Sequence, residues 1–239
     1  MATDPTGRTE RLSLALEAVR EAGEITLEYF RREDLEVQRK GDDSPVTVAD
    51  RCAEEHLRRR IAQAFPDDGI LGEEFPEQPG TSGFRWILDP IDGTKSFIHG
   101  VPLYSTLVGI EHRGQSVVGV IAIPALREVA YAALGQGAWY ALGDEPPRPA
   151  QVSPCPRLAE GLFLTSEVSN FRAVGRPEVY EQLQAIARVT RTWGDGYGYL
   201  MVATGRAQLM VDPIMNLWDA AALLPIICLL YTSDAADDL

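Results

Sequence analysis

Asp89 and Asp92 stand three residues apart at the end of an apolar run, in RWILDPIDGTKSFIHG (residues 85–100), and Gly93-Thr94 follows at once. Carboxylates at the end of a buried strand are costly unless they are paired or bound to a cation. The run is apolar up to Leu88, so Asp89 is expected to emerge at a strand end, with Pro90 stopping the pairing and stiffening the turn. Asp92 comes one tight turn later, which lets both carboxylates, and the Ile91 carbonyl between them, face one space. Gly93-Thr94 is expected to open a short helix whose N–H groups face an anion. This grouping suits divalent metals that bridge carboxylates to phosphate oxygens and activate a water.

Three further places supply acid: Glu73-Glu74 after the strand-like GILGEEF, Asp219 in NLWDAAALL, and Asp50 in VTVAD. Each has a plainer reading. Adjacent loop glutamates are usually solvated, Asp219 near a helix start suits the helix dipole, and Thr47-x-x-Asp50 reads as a capping box. Singly they carry little; beside the aspartate pair they complete a metal site.

The elements that must position these residues are legible from periodicity. Apolar residues at Leu12, Leu16, Val19, Ile25, Leu27 and Phe30 predict a helix over residues 9–32. Ala49, Ala53, Leu57, Ile61 and Ala64 predict a second, ended by PDDG. Short apolar runs between turn residues then predict strands, with a hairpin bend at Arg113-Gly114. The proline-rich LGDEPPRPAQVSPCPR marks a boundary between halves. Beyond it GLFLTS, TRTWG and AQLMVDP read as strands, alternating with helices over PEVYEQLQAIARV, DGYGYLMVATGR and NLWDAAALLPIICLL. The class is α/β, with a meander and helices first and an α/β layer second. The expected organisation is a disordered tail (1–8), an N-terminal half with a helix pair, an antiparallel-rich sheet and the metal site (9–143), a C-terminal α/β half (144–227) and a tail (228–239).

Composition narrows the chemistry. The 239 residues carry 22 basic and 35 acidic side chains, a net charge of −13, which argues against nucleic acid as a partner. Three histidines argue against an imidazole-rich metal site, so a hard, oxygen-bound cation is expected. Cys52, Cys155 and Cys228 are widely separated and fit no disulfide framework, which points to a reducing cytoplasm. MATDPTGRTE has no apolar signal core, and no run reaches the roughly 18 apolar residues of a membrane span. His99 reads as a solvated loop residue.

WILDPIDGTKSF, GEE and WDAA resemble the inositol monophosphatase family of Mg²⁺-dependent phosphomonoesterases, over residues 12–227. The resemblance implies a layered αβαβα sandwich, commonly a homodimer, binding two or three Mg²⁺ ions and a small phosphorylated metabolite. It implies metal ligation by Glu73, Asp89, the Ile91 carbonyl, Asp92 and Asp219. Thr94 and Asp50 match the pair that positions or deprotonates the attacking water, with Glu73 assisting. Gly93 and Thr94, beside Asp92, match the phosphate contacts, and Lys40 matches a basic residue of the loop that closes over the site. In-line displacement without a covalent intermediate is implied.

For the substrate, RTWGDGYGYLMVATGRAQLMVDPIMNLWDAAALLPI and KSFIHGVPLYSTLVGI resemble the histidinol-phosphatase branch more than the inositol branch. Histidinol phosphate carries an ammonium and an imidazole, so carboxylates and aromatic faces are expected around it. Asp195 and Asp212, with Trp193, Tyr197 and Tyr199, are the candidates; the tyrosines read equally well as core residues. An inositol phosphate would use the same acids as hydroxyl acceptors. The absence of an extra basic cluster counts against bisphosphates, and a catalytically silent metal- or partner-binding relative is the remaining alternative. CLLYTSDAADDL (228–239) departs from the family's acidic, glycine-rich continuation. It reads as non-native sequence from an assembly or frame error, with the C-terminus truncated and apolar surface exposed by the loss.

Overall fold

The computed structural model describes residues 7–41 and 44–232. Most of the tail expected over 1–8, and residues 233–239 of the tail expected over 228–239, lie outside the described residues. Helix α1 (Arg8–Tyr29) is followed by the antiparallel pair β1 (Val37–Arg39) and β2 (Pro45–Thr47), and then by α2 (Val48–Ala64). Next come β3 (Gly69–Gly72), β4 (Phe84–Asp92), the short α3 (Thr94–Ile98), β5 (Ser105–His112), β6 (Gln115–Ile123), β7 (Glu128–Ala133), β8 (Gly137–Leu142) and β9 (Arg148–Pro149). These seven strands form one sheet in chain order, antiparallel except for the β3–β4 pair. The second sheet is parallel, in the order β11 (Val189–Arg191), β10 (Leu162–Leu164), β12 (Leu209–Met210). It is interleaved with α4 (Val168–Ala173), α5 (Pro177–Ile186) and α6 (Asp195–Ala203), and the chain continues through α7 (Leu217–Ala221) and α8 (Leu223–Thr232).

Alternation along the strands sorts side chains to the two faces of the large sheet. Trp86, Leu88, Val108, Val118 and Val120 pack with Leu12, Val19 and Leu57 of α1 and α2. Leu107, Ile121 and Ile123 pack with Leu200, Leu223 and Ile226 of α6 and α8. Leu164 of the small sheet meets Met201 of α6. On the outside, Phe163 and Phe171 both pack against Tyr180 of α5 with tilted rings. The layers are therefore αβαβα, as expected.

Two local expectations change. Pro90 does not end β4; the strand continues to Asp92 through a register shift. Asp89 pairs with Leu107 and Asp92 with Ser105, so two residues of β4 oppose the single Thr106, the count of a β-bulge. The helix expected over NLWDAAALLPIICLL is split at Ala222 into α7 and α8. Pro225 lacks an N–H and its ring crowds the carbonyl four residues back, at Ala221, which breaks the ladder there. The hairpin bend falls at Arg113-Gly114 as expected, with both residues at positive φ (52° and 81°) between β5 and β6.

Candidate active site

In a regular strand, residues three apart point to opposite faces. The bulge in β4 supplies the one extra residue that returns Asp92 to the face of Asp89. That face carries Leu107, so it looks toward α6, α7 and α8. Asp219 arrives on it from the third position of α7. Carboxylate oxygens of Asp89, Asp92 and Asp219 lie within 4.8 Å of one another. The approach of α7 depends on two glycines in neighbouring strands, the paired Gly109 and Gly119. A Cβ on Gly109 would stand 2.6 Å from Ala221, and one on Gly119 would collide with the Ala222 carbonyl. Neither glycine figured in the reading of the sequence. Their placement inside apolar strands was the available signal, since such glycines mark close backbone approach.

Asp50 and Asp219 act as caps, and the cap uses only one oxygen of each. Asp50 Oδ2 accepts from the Thr47 N–H (2.8 Å) and the Thr47 hydroxyl (2.6 Å), while its buried Oδ1 has no partner. Asp219 Oδ2 accepts from the Asn216 N–H at 2.7 Å and from its side-chain amide at 3.3 Å. Glu73, at the end of β3, lines the same cleft but is tied elsewhere: Lys40 Nζ donates at 2.6 Å to both Glu73 Oε1 and Glu74 Oε1. Below them the fully buried Glu54 accepts from the Glu74 N–H (2.8 Å) and from Arg58 (2.7 Å), filling space that a side chain on Gly72 would take. Glu54 also escaped the sequence reading; an acid on the apolar side of α2 was its signal.

Thr94 Oγ1 donates to the Ile91 carbonyl at 3.1 Å. The Thr94 hydroxyl is thus turned to the carbonyl of the bulge, and no hydrogen bond joins it to the partnerless Asp50 Oδ1. Gly93, at φ +84°, starts α3 in a left-handed conformation, and a Cβ there would lie 2.7 Å from Asp195 Oδ2. Asp92 Oδ2 accepts from the Ser105 hydroxyl (2.7 Å) and the Gly196 N–H, which joins β4, β5 and α6 at one oxygen.

Asp195, Asp212 and Tyr199 line the cleft, a space of about 350 Å³ between the two sheets. Asp212 is engaged at both oxygens, by the Ser166 N–H (2.7 Å) and the Ser166 hydroxyl (2.8 Å). The same hydroxyl accepts from the Asp195 N–H (2.7 Å). The other two aromatic candidates lie elsewhere. Tyr197 turns into the core under Arg206, and Trp193 is 41% exposed beside Arg191, outside the cleft lining. His99 is exposed and bonded to the Lys95 carbonyl.

So many acids in one buried place disfavour their own ionisation. Burial pushes Asp50 up to about 6 against the lowering bonds from Thr47. Burial raises Glu73 to about 6 against the pull of Lys40, and Asp195 to about 6, with the charge of Asp212 adding to it. Burial, then the charges of Glu73, Asp92, Asp219 and Asp50, hold Asp89 well above the usual carboxylate range. Asp92 is raised likewise by burial and by Asp195. Lys40, despite burial, is lifted to about 12 by Glu73 and Glu74. Two buried carboxylate oxygens, Asp50 Oδ1 and Asp89 Oδ1, have no hydrogen-bond partner. Orphaned anionic oxygens in an all-oxygen cluster fit a hard divalent cation.

The sequence profile of the inositol monophosphatase family matches residues 8–228. The chain belongs to the inositol monophosphatase family. The family makes it a phosphomonoesterase, and its acidic cluster could bind the metal on which the family generally depends. The chain is 47% identical over 219 residues to the histidinol-phosphatase of Chlorobaculum parvum, covering 92% of this chain and 83% of that one. It is 36% identical over 212 residues to the histidinol-phosphatase of Mycobacterium tuberculosis, covering 89% and 82%. The extragenic suppressor protein suhB of Bartonella henselae superposes with a TM-score of 0.83 at 28% identity, over 92% and 85% of the two chains. Among the described residues no helix is long and apolar enough to cross a membrane.

Proposed function

We propose that this family member hydrolyses L-histidinol phosphate with two or three Mg²⁺ ions held by Glu73, Asp89, the Ile91 carbonyl, Asp92 and Asp219. The observation that carries the reading is the convergence of Asp89, Asp92 and Asp219 beside the Gly93-Thr94 turn, in a chain 47% identical to a relative named histidinol-phosphatase. Mg²⁺ held by these residues would supply neutralisation of phosphate charge and activation of a water. Gly93 and Thr94, at the open first turn of α3, present N–H groups to the phosphate. Asp50, poised near 6 with Oδ1 unpartnered, receives the proton of the attacking water, and the Thr94 hydroxyl and Glu73 help to orient that water. Lys40, just after β1, keeps the Glu73 carboxylate in place. Asp195, Asp212 and Tyr199 accommodate the ammonium and imidazole of the ester from the far wall of the cleft.

The same reading has the half over 9–143 carrying the metal site and the half over 144–227 carrying recognition. A homodimer follows the family habit, and a cytoplasmic location is supported by three free cysteines. Phosphate release from L-histidinol phosphate and from myo-inositol 1-phosphate, each with Mg²⁺ and with EDTA, tests the proposal. The expected result is Mg²⁺-dependent release that strongly favours the histidinol ester. Preference for the inositol ester overturns the substrate, and release undiminished by EDTA overturns the metal site.

A further inference from the structure

One ion pair spans the mouth of the cleft. Lys95 Nζ, on α3, lies 2.7 Å from Glu167 Oε2, on the loop that leads into α4. One partner therefore belongs to the phosphate-turn side of the cleft and the other to the small-sheet side. Both line the cleft, and Lys95 is the one cationic side chain among the described residues that do so. The pair is open to solvent, 71% for Lys95 and 44% for Glu167. An exposed pair of this kind contributes little to stability and exchanges readily for other charges. Glu167 is nevertheless held in position, because its other oxygen accepts from the Ser169 hydroxyl at 2.5 Å. Lys95 follows Thr94 directly, so its backbone continues the Gly93-Thr94 turn.

We propose that Lys95 and Glu167 are specificity residues that read a zwitterionic aminoalkyl phosphate by exchanging their salt bridge for its two charges. On binding, Glu167 joins the acids of the far wall in taking the substrate ammonium, and Lys95 turns to the phosphate. This rests on the histidinol-phosphate reading above and deepens it. Among esters, one with both charges replaces the lost bridge twice. A polyol phosphate, which carries no ammonium, satisfies only Lys95 and leaves Glu167 without its partner. In the resting protein the two side chains pair with each other. Selectivity of this kind comes as much from the unmet partner with the wrong ester as from contacts with the right one.

The test compares kcat and KM for L-histidinol phosphate with those for its deaminated analogue, the imidazolylpropyl phosphate ester, at fixed Mg²⁺. The wild type is expected to prefer the amino ester. In Glu167→Gln that preference should shrink about tenfold, mostly through KM, as expected for loss of a charge-assisted contact. Glu167→Asp, which keeps the charge, should recover part of it. Lys95→Met should raise KM for both esters, because both carry the phosphate. If Glu167→Gln keeps the wild-type preference, the inference fails while wild-type turnover of the amino ester still supports the histidinol-phosphate reading. A wild type that cleaves neither imidazole ester but cleaves inositol phosphate overturns both.

Discussion

The two walls of the cleft are built on different terms. On the large-sheet side, Asp89 lines the cleft at 2% exposure, Asp50 is buried outside the lining at 1%, and each leaves an oxygen without a partner. On the small-sheet side, Asp212 has both oxygens satisfied by Ser166, and Glu167 is exposed and paired with Lys95. Unsatisfied buried charge is tolerated only where something is meant to neutralise it. The first wall is thus self-repelling, and its acidic cluster could bind a cation that relieves this. The second wall has its resting hydrogen bonds made within itself, and the exchange proposed for Lys95 and Glu167 would let it adapt. Gly93 is where they meet, its missing Cβ leaving room for Asp195 from across the cleft.

The contrast can be broken at several points. Asp92→Asn should have the largest effect, lowering kcat about a thousandfold or more through loss of a metal-binding charge. The fold should persist by circular dichroism, because Asn keeps an oxygen to accept from Ser105 and Gly196. Retained Mg²⁺-dependent activity would remove Asp92 from the metal site. Gly93→Ala should strike both walls. Strain at φ +84° costs about 1–3 kcal/mol, and displacement of Asp195 and of the phosphate turn should cost about a hundredfold in kcat/KM. Thermal melts and steady-state kinetics on the same preparation separate the two.

A third measurement sharpens the contrast without mutation. Asp50 and Asp195 are raised from 3.8, and Glu73 from 4.5, to about 6 in the folded protein. The folded state therefore binds more protons than the unfolded chain between those values, so stability falls as pH rises through that window. The metal-free protein should melt at a lower temperature at pH ~7.5 than at pH ~5, and Mg²⁺ should raise the melting temperature more at the higher pH. A metal-free melting temperature that rises over the same interval would mean that these acids do not face one another unneutralised. The smallest effect is expected for Trp193→Ala. Trp193 lies outside the cleft lining, so kcat/KM for histidinol phosphate should stay within about twofold of wild type. A larger change would extend the recognition wall beyond its present edge.

What could be read from the chain without its fold was whatever short-range chemistry writes. The capping box at Thr47 and Asp50 and the Arg113-Gly114 hairpin are contained in a few consecutive residues, and their local geometry follows from backbone sterics and nearby hydrogen bonds; of the Asp-Pro-Ile-Asp-Gly-Thr run the residue types were legible. The helix pair and the apolar strands follow from periodicity, and the layered α/β class follows from their order. The acids around the aspartate pair were legible as residue types, because oxygen-rich clusters suit hard cations.

Tertiary structure decided how these pieces face each other. Spacing alone puts Asp89 and Asp92 on opposite sides of a strand, and the bulge against Thr106 puts them on one. Nothing near Asp219 in the chain seats α7; Gly109 and Gly119, about a hundred residues upstream, do so by leaving room for its backbone. Tyr197 and Tyr199, two apart on α6, point to opposite sides of the helix, and only the docking of α6 decides which side meets Arg206 and which lines the cleft. The bond from Lys40 to Glu73, the support of Glu74 by Glu54 and the Lys95–Glu167 bridge all join residues far apart in the chain. Sequence sets which groups are available and their local bends, while long-range packing sets which oxygens are satisfied and which are left for a ligand.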